Sequence, residues 1–249
     1  MKIRWVIGAA VLAGVVAIFG PAVAAASTGS FVNGTFTQGT YSQTYPGFET
    51  LVAGQPSATA MTGWTVTTNS VDWIQGLWTS PGGNSVDMNG TINQEPSGST
   101  SAAGAIAQTF TTTNGATYFV SFELSANPGC GPNTYTLAVA GGTSSSYTAS
   151  ASTDGILADM TWSTEGYSFV AGDTGTSTLT FTADQNNTSN CGPVLADVAV
   201  TPVAASGAQC KDGGWQMGVV GSDGTIVTFK NQGQCVSYFA TSGDTPIGS

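Results

Sequence analysis

The chain has 249 residues with 34 glycines, 10 prolines, four cysteines, no histidine and only 7% charged side chains, for a formal net charge of −10. Its four basic residues are Lys2, Arg4, Lys211 and Lys230, so the whole span between Arg4 and Lys211 contains no Lys, Arg or His. That gap removes the lysine of a phosphate-binding loop, the base of a Ser-His-Asp triad and the commonest neutral zinc ligand. The acidic balance excludes nucleic acid as a partner.

In chain order, Lys2 and Arg4 precede an apolar run from Trp5 to Phe19, Pro21 ends the run, and Ala22-Val23-Ala24-Ala25-Ala26 offers small-residue cleavage sites. Residues 1–26 therefore read as a secretory signal peptide, the run being shorter than the ~20 residues a bilayer span requires. After cleavage two cations would remain against fourteen carboxylates. The expectation is an acidic, secreted, extracellular monomer with no membrane attachment.

From residue 28 to 202 the chain alternates in twos wherever it is periodic. Tyr118, Val120, Phe122, Leu124 and Ala126 fall on one face, with Ser121, Glu123 and Ser125 on the other. The same pattern holds for Tyr135, Leu137 and Val139, for Leu179, Phe181 and Ala183, and for Val194, Ala196, Val198 and Val200. Asn114-Gly115, Gly141-Gly142 and Gly172-Asp173 supply turn chemistry between these runs. Half-buried strands at short intervals predict an all-β fold, an antiparallel β-sandwich of two packed sheets. Outside the signal peptide no stretch of a dozen residues has a period of 3.6, and Ile156, Leu157 and Met160 allow one short turn of helix. Pro202 closes the pattern. Residues 203–208 read as a linker, 209–239 as a disulfide-stapled appendage too small to bury a core without its bridge, and 240–249 as a flexible tail.

Four cysteines allow three pairings, and counting alone does not choose between them. Cys130 and Cys191 each begin a Cys-Gly-Pro tripeptide, and Cys210 and Cys235 bracket the segment that holds both mature lysines. These contexts favour Cys130 with Cys191 and Cys210 with Cys235.

A series of motifs carries a resemblance: Asn33-Gly34-Thr35-Phe36, Gly63-Trp64-Thr65-Val66, Ser70-Val71-Asp72-Trp73-Ile74, Ser85-Val86-Asp87-Met88-Asn89-Gly90, Ile106-Ala107-Gln108-Thr109-Phe110, Tyr118-Phe119-Val120-Ser121-Phe122, and Cys191-Gly192-Pro193-Val194-Leu195-Ala196-Asp197-Val198. In this order they resemble the bacterial choice-of-anchor C family and the plant cell-wall family named domain of unknown function 642, over about residues 30 to 202. The resemblance implies a galactose-binding-like jelly roll, the sandwich of many carbohydrate-binding modules, and a cell-wall polysaccharide as partner. In related modules a Glu in the opening motif holds a structural calcium, whereas this chain has Phe36-Thr37. The segment from Cys210 to Cys235 separately resembles a Cys-Lys-x-Gly-Gly-Trp unit at the ends of secreted actinobacterial proteins, with no activity implied.

The candidate site residues follow from chemistry. Trp64, Trp73 and Trp78 lie within 15 residues of chain beside Asp72, Gln75, Asp87 and Asn89. Sugar rings stack on aromatic faces while acids and amides meet the hydroxyls. Trp64 reads as core. Trp73 and Trp78 fit either core or stacking platforms, with Asp72, Asp87 and Asn89 as hydroxyl partners. Trp162 reads as packing. Asp72, Asp87, Glu95, Glu123, Asp159, Glu165 and Asp197 could supply a hydrolytic carboxylate pair, but acids are expected on any secreted surface, and no catalytic residue is assigned. At most one calcium is expected, with Asp197 as the best carboxylate. Its strand neighbours face one way while it points the other, which a solvated strand acid would also do.

Overall fold

The computed structural model describes residues 29–42, 47–91, 103–130, 134–151, 157, 160–183, 191–211 and 213–242. The expected signal peptide, Glu95, Asp159, most of the stretch from Ile156 to Met160 and the side chain of Cys130 lie outside them.

The described chain forms β1 (Phe48–Val52), β2 (Thr65–Thr68), β3 (Ser70–Ile74), β4 (Ser85–Asp87), β5 (Ala105–Thr111), β6 (Thr117–Ala126) and β7 (Thr134–Ala140). It continues with β8 (Ser144–Ser150), β9 (Ser163–Val170), β10 (Thr176–Ala183), β11 (Pro193–Val203), β12 (Val219–Val220), β13 (Ile226–Val227) and a helix, α1 (Gln232–Ser242). A six-stranded sheet in the order β1-β3-β4-β11-β6-β9 faces a five-stranded sheet in the order β2-β5-β10-β7-β8. All the strand pairs are antiparallel. The inward faces are those the alternation marked: Val120, Phe122, Leu124 and Ala126 on β6, Leu137 and Val139 on β7, and Leu179, Phe181 and Ala183 on β10 belong to one buried cluster. Phe122 meets Phe181 edge-on at 5.3 Å, and Trp64 lies 5.4 Å from Phe36. The outward face of the five-stranded sheet is threonine, serine and alanine, and Thr109 and Thr178 hydroxyls share a hydrogen bond of 2.8 Å across it.

β11 departs from the expected alternation. Leu195 and Val198 are in the main core, while Val194 faces the opposite side of the sheet, because the register slips between Ala196 and Ala199 and Asp197 adopts φ 44°. A one-residue bulge inverts the facing of every later side chain, so Val194 and Val198 cannot share a face. The opening motif docks on this bulge. Val198 N donates to Gly34 O at 2.9 Å, and a Cβ on Gly34 would lie 1.7 Å from Val198 O, so only glycine fits. Asn33 and Phe36 sit at φ 53° and 55°. The Asn33 amide holds the turn, accepting from Gln38 N and donating to Gln38 O and Thr62 O, each at 2.9 Å.

The C-terminal part corrects two expectations. β11 runs through Val203, and Ala204, 1% exposed, packs with Cys210, Val219 and Cys235, so the stretch read as a linker opens inside a small core. Residues 232–242 are helical where no helical period was read. The helix is set by its ends and by one face. Asn231 Oδ1 accepts from Gln234 N at 3.0 Å while Gln234 Oε1 accepts from Lys230 N at 2.9 Å, and the two bonds together cap the first turn. Cys235, Tyr238 and Phe239, at i, i+3 and i+4, then pack into the small cluster. The Cys210–Cys235 disulfide closes it across 25 residues. Cys191 is also disulfide-bonded.

Candidate functional site

The outward face of the six-stranded sheet gathers the polar residues of two motifs. Alternation along β3 sends Val71 and Trp73 into the core and leaves Ser70, Asp72 and Ile74 outward; on β4, Val86 goes inward and Ser85 and Asp87 outward. Asp72 and Asp87 are direct partners across the β3–β4 ladder, where Cβ atoms stand about 4.5–5.5 Å apart. Thr50 on β1 and Val194 on β11 extend the row on either side. The β3–β4 ladder ends at this pair, and beyond it Gly90 N donates to Ser70 O at 3.0 Å.

These groups are buried: Asp72 is 5% exposed, Asp87 1%, and Asn89 and Ser70 0%. Asp72 accepts from Thr50 Oγ1 at 2.6 Å, from Thr91 Oγ1 at 3.0 Å and from Thr91 N at 3.1 Å. Asp87 accepts from Asn127 Nδ2 at 2.6 Å and Asn89 N at 3.0 Å. Asn89 Nδ2 and Oδ1 and Ser70 Oγ have no hydrogen-bond partner. Burial raises the Asp87 carboxyl well above the ordinary aspartate range, the Asp72 charge adds to this, and the bonds from Asn89 and Asn127 only oppose it. Burial also raises Asp72, against the bonds from Thr50 and Thr91. Gly192 makes the cluster possible, because a Cβ there would lie 2.8 Å from Asp87 Oδ1 and 2.9 Å from Asn89 Cβ.

Beside this polar column the same face is apolar. Trp78 packs with Ile74 and Val194, and half-buried Phe48, Leu77, Met160 and Trp162 lie against them. Trp78 is 7% exposed and its indole donates to Ser85 Oγ at 2.9 Å. Trp73 is 1% exposed, faces the main core and donates to Phe36 O at 2.8 Å. Neither ring offers a face to a surface ligand, which corrects their reading as stacking platforms. Each indole N–H needs a buried acceptor, and each finds one that fastens a neighbouring segment. Trp64 takes the same role toward Asn33 O at 3.0 Å. Trp162, read as packing, is the half-buried indole at the rim. Thr50, Thr91 and Asn127 also join the site. They carried no motif signal, and only strand register could have found them.

Asp197 lies elsewhere. It is exposed at the bulge, and its Oδ1 would be 2.8 Å from a Cβ on Gly82, with Thr35 adjacent. No cluster of three His, Cys, Asp or Glu exists among the described residues. One carboxylate beside a threonine falls well short of the six to eight oxygens calcium takes, so the described residues here do not fit that ion. Among the described residues no helix is long and apolar enough to cross a membrane.

Comparison with known proteins gives a match over residues 29–201 to the family described as protein of unknown function, DUF642. No curated protein matches the sequence. Among solved structures, the chain is similar to TmCBM61 in complex with β-1,4-galactotriose, at 16% identity and TM-score 0.41, covering 71% of this chain and 99% of that one. It is similar to a CBM4 structure at 16% identity and TM-score 0.36, covering 70% and 99%. A family 16 carbohydrate-binding module matches at 12% identity and TM-score 0.34, covering 52% and 84%.

Proposed function

The chain belongs to the DUF642 family, and from that premise we propose that its sandwich is a secreted, non-catalytic module that binds neutral or weakly acidic polysaccharide at the outward face of the six-stranded sheet. One observation carries the reading: on one sheet face the Asp72–Asp87 pair adjoins an apolar patch whose half-buried side chains, Trp162 among them, keep surface open to a ligand. Acids and amides for hydroxyls next to apolar surface for ring faces are what a sugar site requires. Trp162, half-buried against this patch, is the side chain we assign to stacking.

The non-catalytic reading is supported by burial: Asp72 is 5% and Asp87 1% exposed, which keeps both carboxyls away from a glycosidic bond at the surface. Neutral polymers are favoured because the mature chain has two cations against fourteen carboxylates and none of its cations lies within residues 29–201 to clamp a uronate.

The test is a screen of the purified mature chain on insoluble neutral polysaccharides, soluble neutral glycans and a polyuronate. Retention on a neutral polymer, lost in Trp162→Ala with melting unchanged, supports the reading. The burial of Trp73 and Trp78 favours a second one, an adhesive scaffold contacting proteins. That reading takes over if no glycan is retained.

A further inference from the structure

Asp72 and Asp87 are opposed across β3 and β4, where outward Cβ atoms stand about 4.5–5.5 Å apart, and both are buried. Residues 29–201 contain no Lys, Arg or His, so no side chain of that span can balance a charge there. The groups beside the pair are neutral: Thr50 on β1, Val194 on β11, and Asn89, Thr91 and Asn127 in the connections. Among the described acids of the neighbouring strands, Glu49 on β1 pairs with core-facing Trp73 and so lies on the other face. Glu123 stands beyond β11 on β6, where it accepts from Thr164 Oγ1 at 2.7 Å. Like charges directly opposite in a ladder repel, and burial penalises each of them. Two full charges are therefore the costliest state of this face.

We propose that Asp72 and Asp87 hold one proton between them at neutral pH, carry a single charge, and so make the β3–β4 pairing a pH-sensitive clasp. Asp87 is the proton holder. It is 1% exposed against 5% for Asp72, and it accepts from Asn89 N and Asn127 Nδ2, whereas Asp72 accepts from Thr50 Oγ1, Thr91 Oγ1 and Thr91 N. Hydrogen bonds to a carboxylate favour its charged form, so the better-supplied Asp72 keeps the charge. Burial raises both carboxyls, and the Asp72 charge raises Asp87 further. The same two side chains fasten Thr91 and Asn127 to the sheet, so the state of the pair reaches both connections. The unfolded chain releases this proton near pH 4 while the folded pair keeps it. The pair's contribution to stability is therefore whole below about pH 4 and is lost as pH rises through the folded midpoint.

The experiment follows the side-chain carboxyl carbons of the full mature chain by carbon NMR across the acid and neutral range, in the wild type and in Asp72→Asn. Asp87 is expected to titrate more than about one unit above Asp72, as two coupled carboxyls do. In Asp72→Asn the Asp87 midpoint should fall toward the ordinary aspartate value, because the opposing charge is gone. In urea unfolding, Asp87→Asn should gain stability relative to the wild type as pH rises from about 4 toward the Asp87 midpoint. Two wild-type midpoints less than about one unit apart overturn the proposal. An Asp87 midpoint unmoved in Asp72→Asn also overturns it, leaving two separately buried acids. Should Asp72→Asn fail to fold, the separation of the wild-type midpoints decides alone. The inference rests on the pair and not on sugar binding, and no glycan enters the measurement, so a failed polysaccharide screen leaves it standing.

Discussion

Trp78 and Tyr167 show opposite consequences of burying a polar tip. Trp78 is 7% exposed and its N–H is bonded to Ser85 Oγ, which Ser80 Oγ also contacts at 2.8 Å. Trp78→Ala leaves a cavity and removes one of the two donors to Ser85, and should lower stability by about 3–5 kcal/mol in equilibrium urea unfolding. An unchanged midpoint would return the ring to the surface. Tyr167 is 4% exposed, and its hydroxyl is buried with no partner. Burial raises its pKa above the ordinary tyrosine value, with neighbouring Tyr147 adding to the effect. The unfolded chain then releases this proton near pH 10 while the folded chain keeps it, so folding stability falls as pH rises past about 10. Tyr167→Phe should be neutral or stabilising by about 1 kcal/mol at pH 7 and should flatten the alkaline loss, as read from unfolding curves between pH 8 and 11. A variant with the same alkaline slope as the wild type would assign that slope to another group.

Among the elements, the β11 bulge and the appendage determine the most. The bulge lets one strand serve three surfaces: Leu195 and Val198 enter the core, Val194 enters the outward apolar patch, and Asp197 turns out to solvent. The appendage buries Ala204, Cys210, Val219 and Cys235, with Trp215, Phe229, Tyr238 and Phe239 around them. So small a cluster depends on its bridge. Replacing Cys210 and Cys235 together by Ser should cost about 3 kcal/mol on the loop-entropy account, seen as early loss of amide protection over α1 while the strands of the sandwich stay protected. Simultaneous loss of protection in both would make them one cooperative unit. Cys191 is disulfide-bonded, and non-reducing peptide mapping is expected to give Cys130 as its partner. A Cys191 to Cys210 peptide would refute both pairings.

For the whole molecule, the question is whether the sandwich, up to Val203, folds without the appendage. Val203 is 2% exposed and pairs with Thr117 on β6, whereas the appendage keeps its own cluster. A chain truncated after Val203 should melt cooperatively as a soluble monomer, within a few degrees of the full mature chain. Aggregation of the shorter chain alone would place the appendage inside the folding unit. A groove of about 450 Å³ between the 114–117 turn and residues 209–217 is where the two meet, with Lys211 on its wall.

The all-β class, the inward faces of β6, β7 and β10 and the Cys210–Cys235 bridge were legible in the sequence. Period-two alternation, turn residues and local spacing are short-range properties that burial on one face then enforces. The convergence of Asp72, Asp87 and Asn89 was legible only as proximity in the chain. The direct opposition of Asp72 and Asp87, the burial of all three and the partners Thr50, Thr91 and Asn127 come from tertiary pairing, which no local pattern encodes. Trp73 and Trp78 were ambiguous for the same reason: an indole near acids can stack a ligand or fasten a turn, and only the position of Phe36 O and Ser85 Oγ decides. The helix α1 escaped because its signal was a cap, Asn231 with Gln234, and a three-residue face rather than a period. By itself the sequence determined a charge-poor, acidic sandwich with no cation in its main domain. Only the tertiary structure decided where that absence matters, because a lone carboxyl in water needs no partner and two buried ones do.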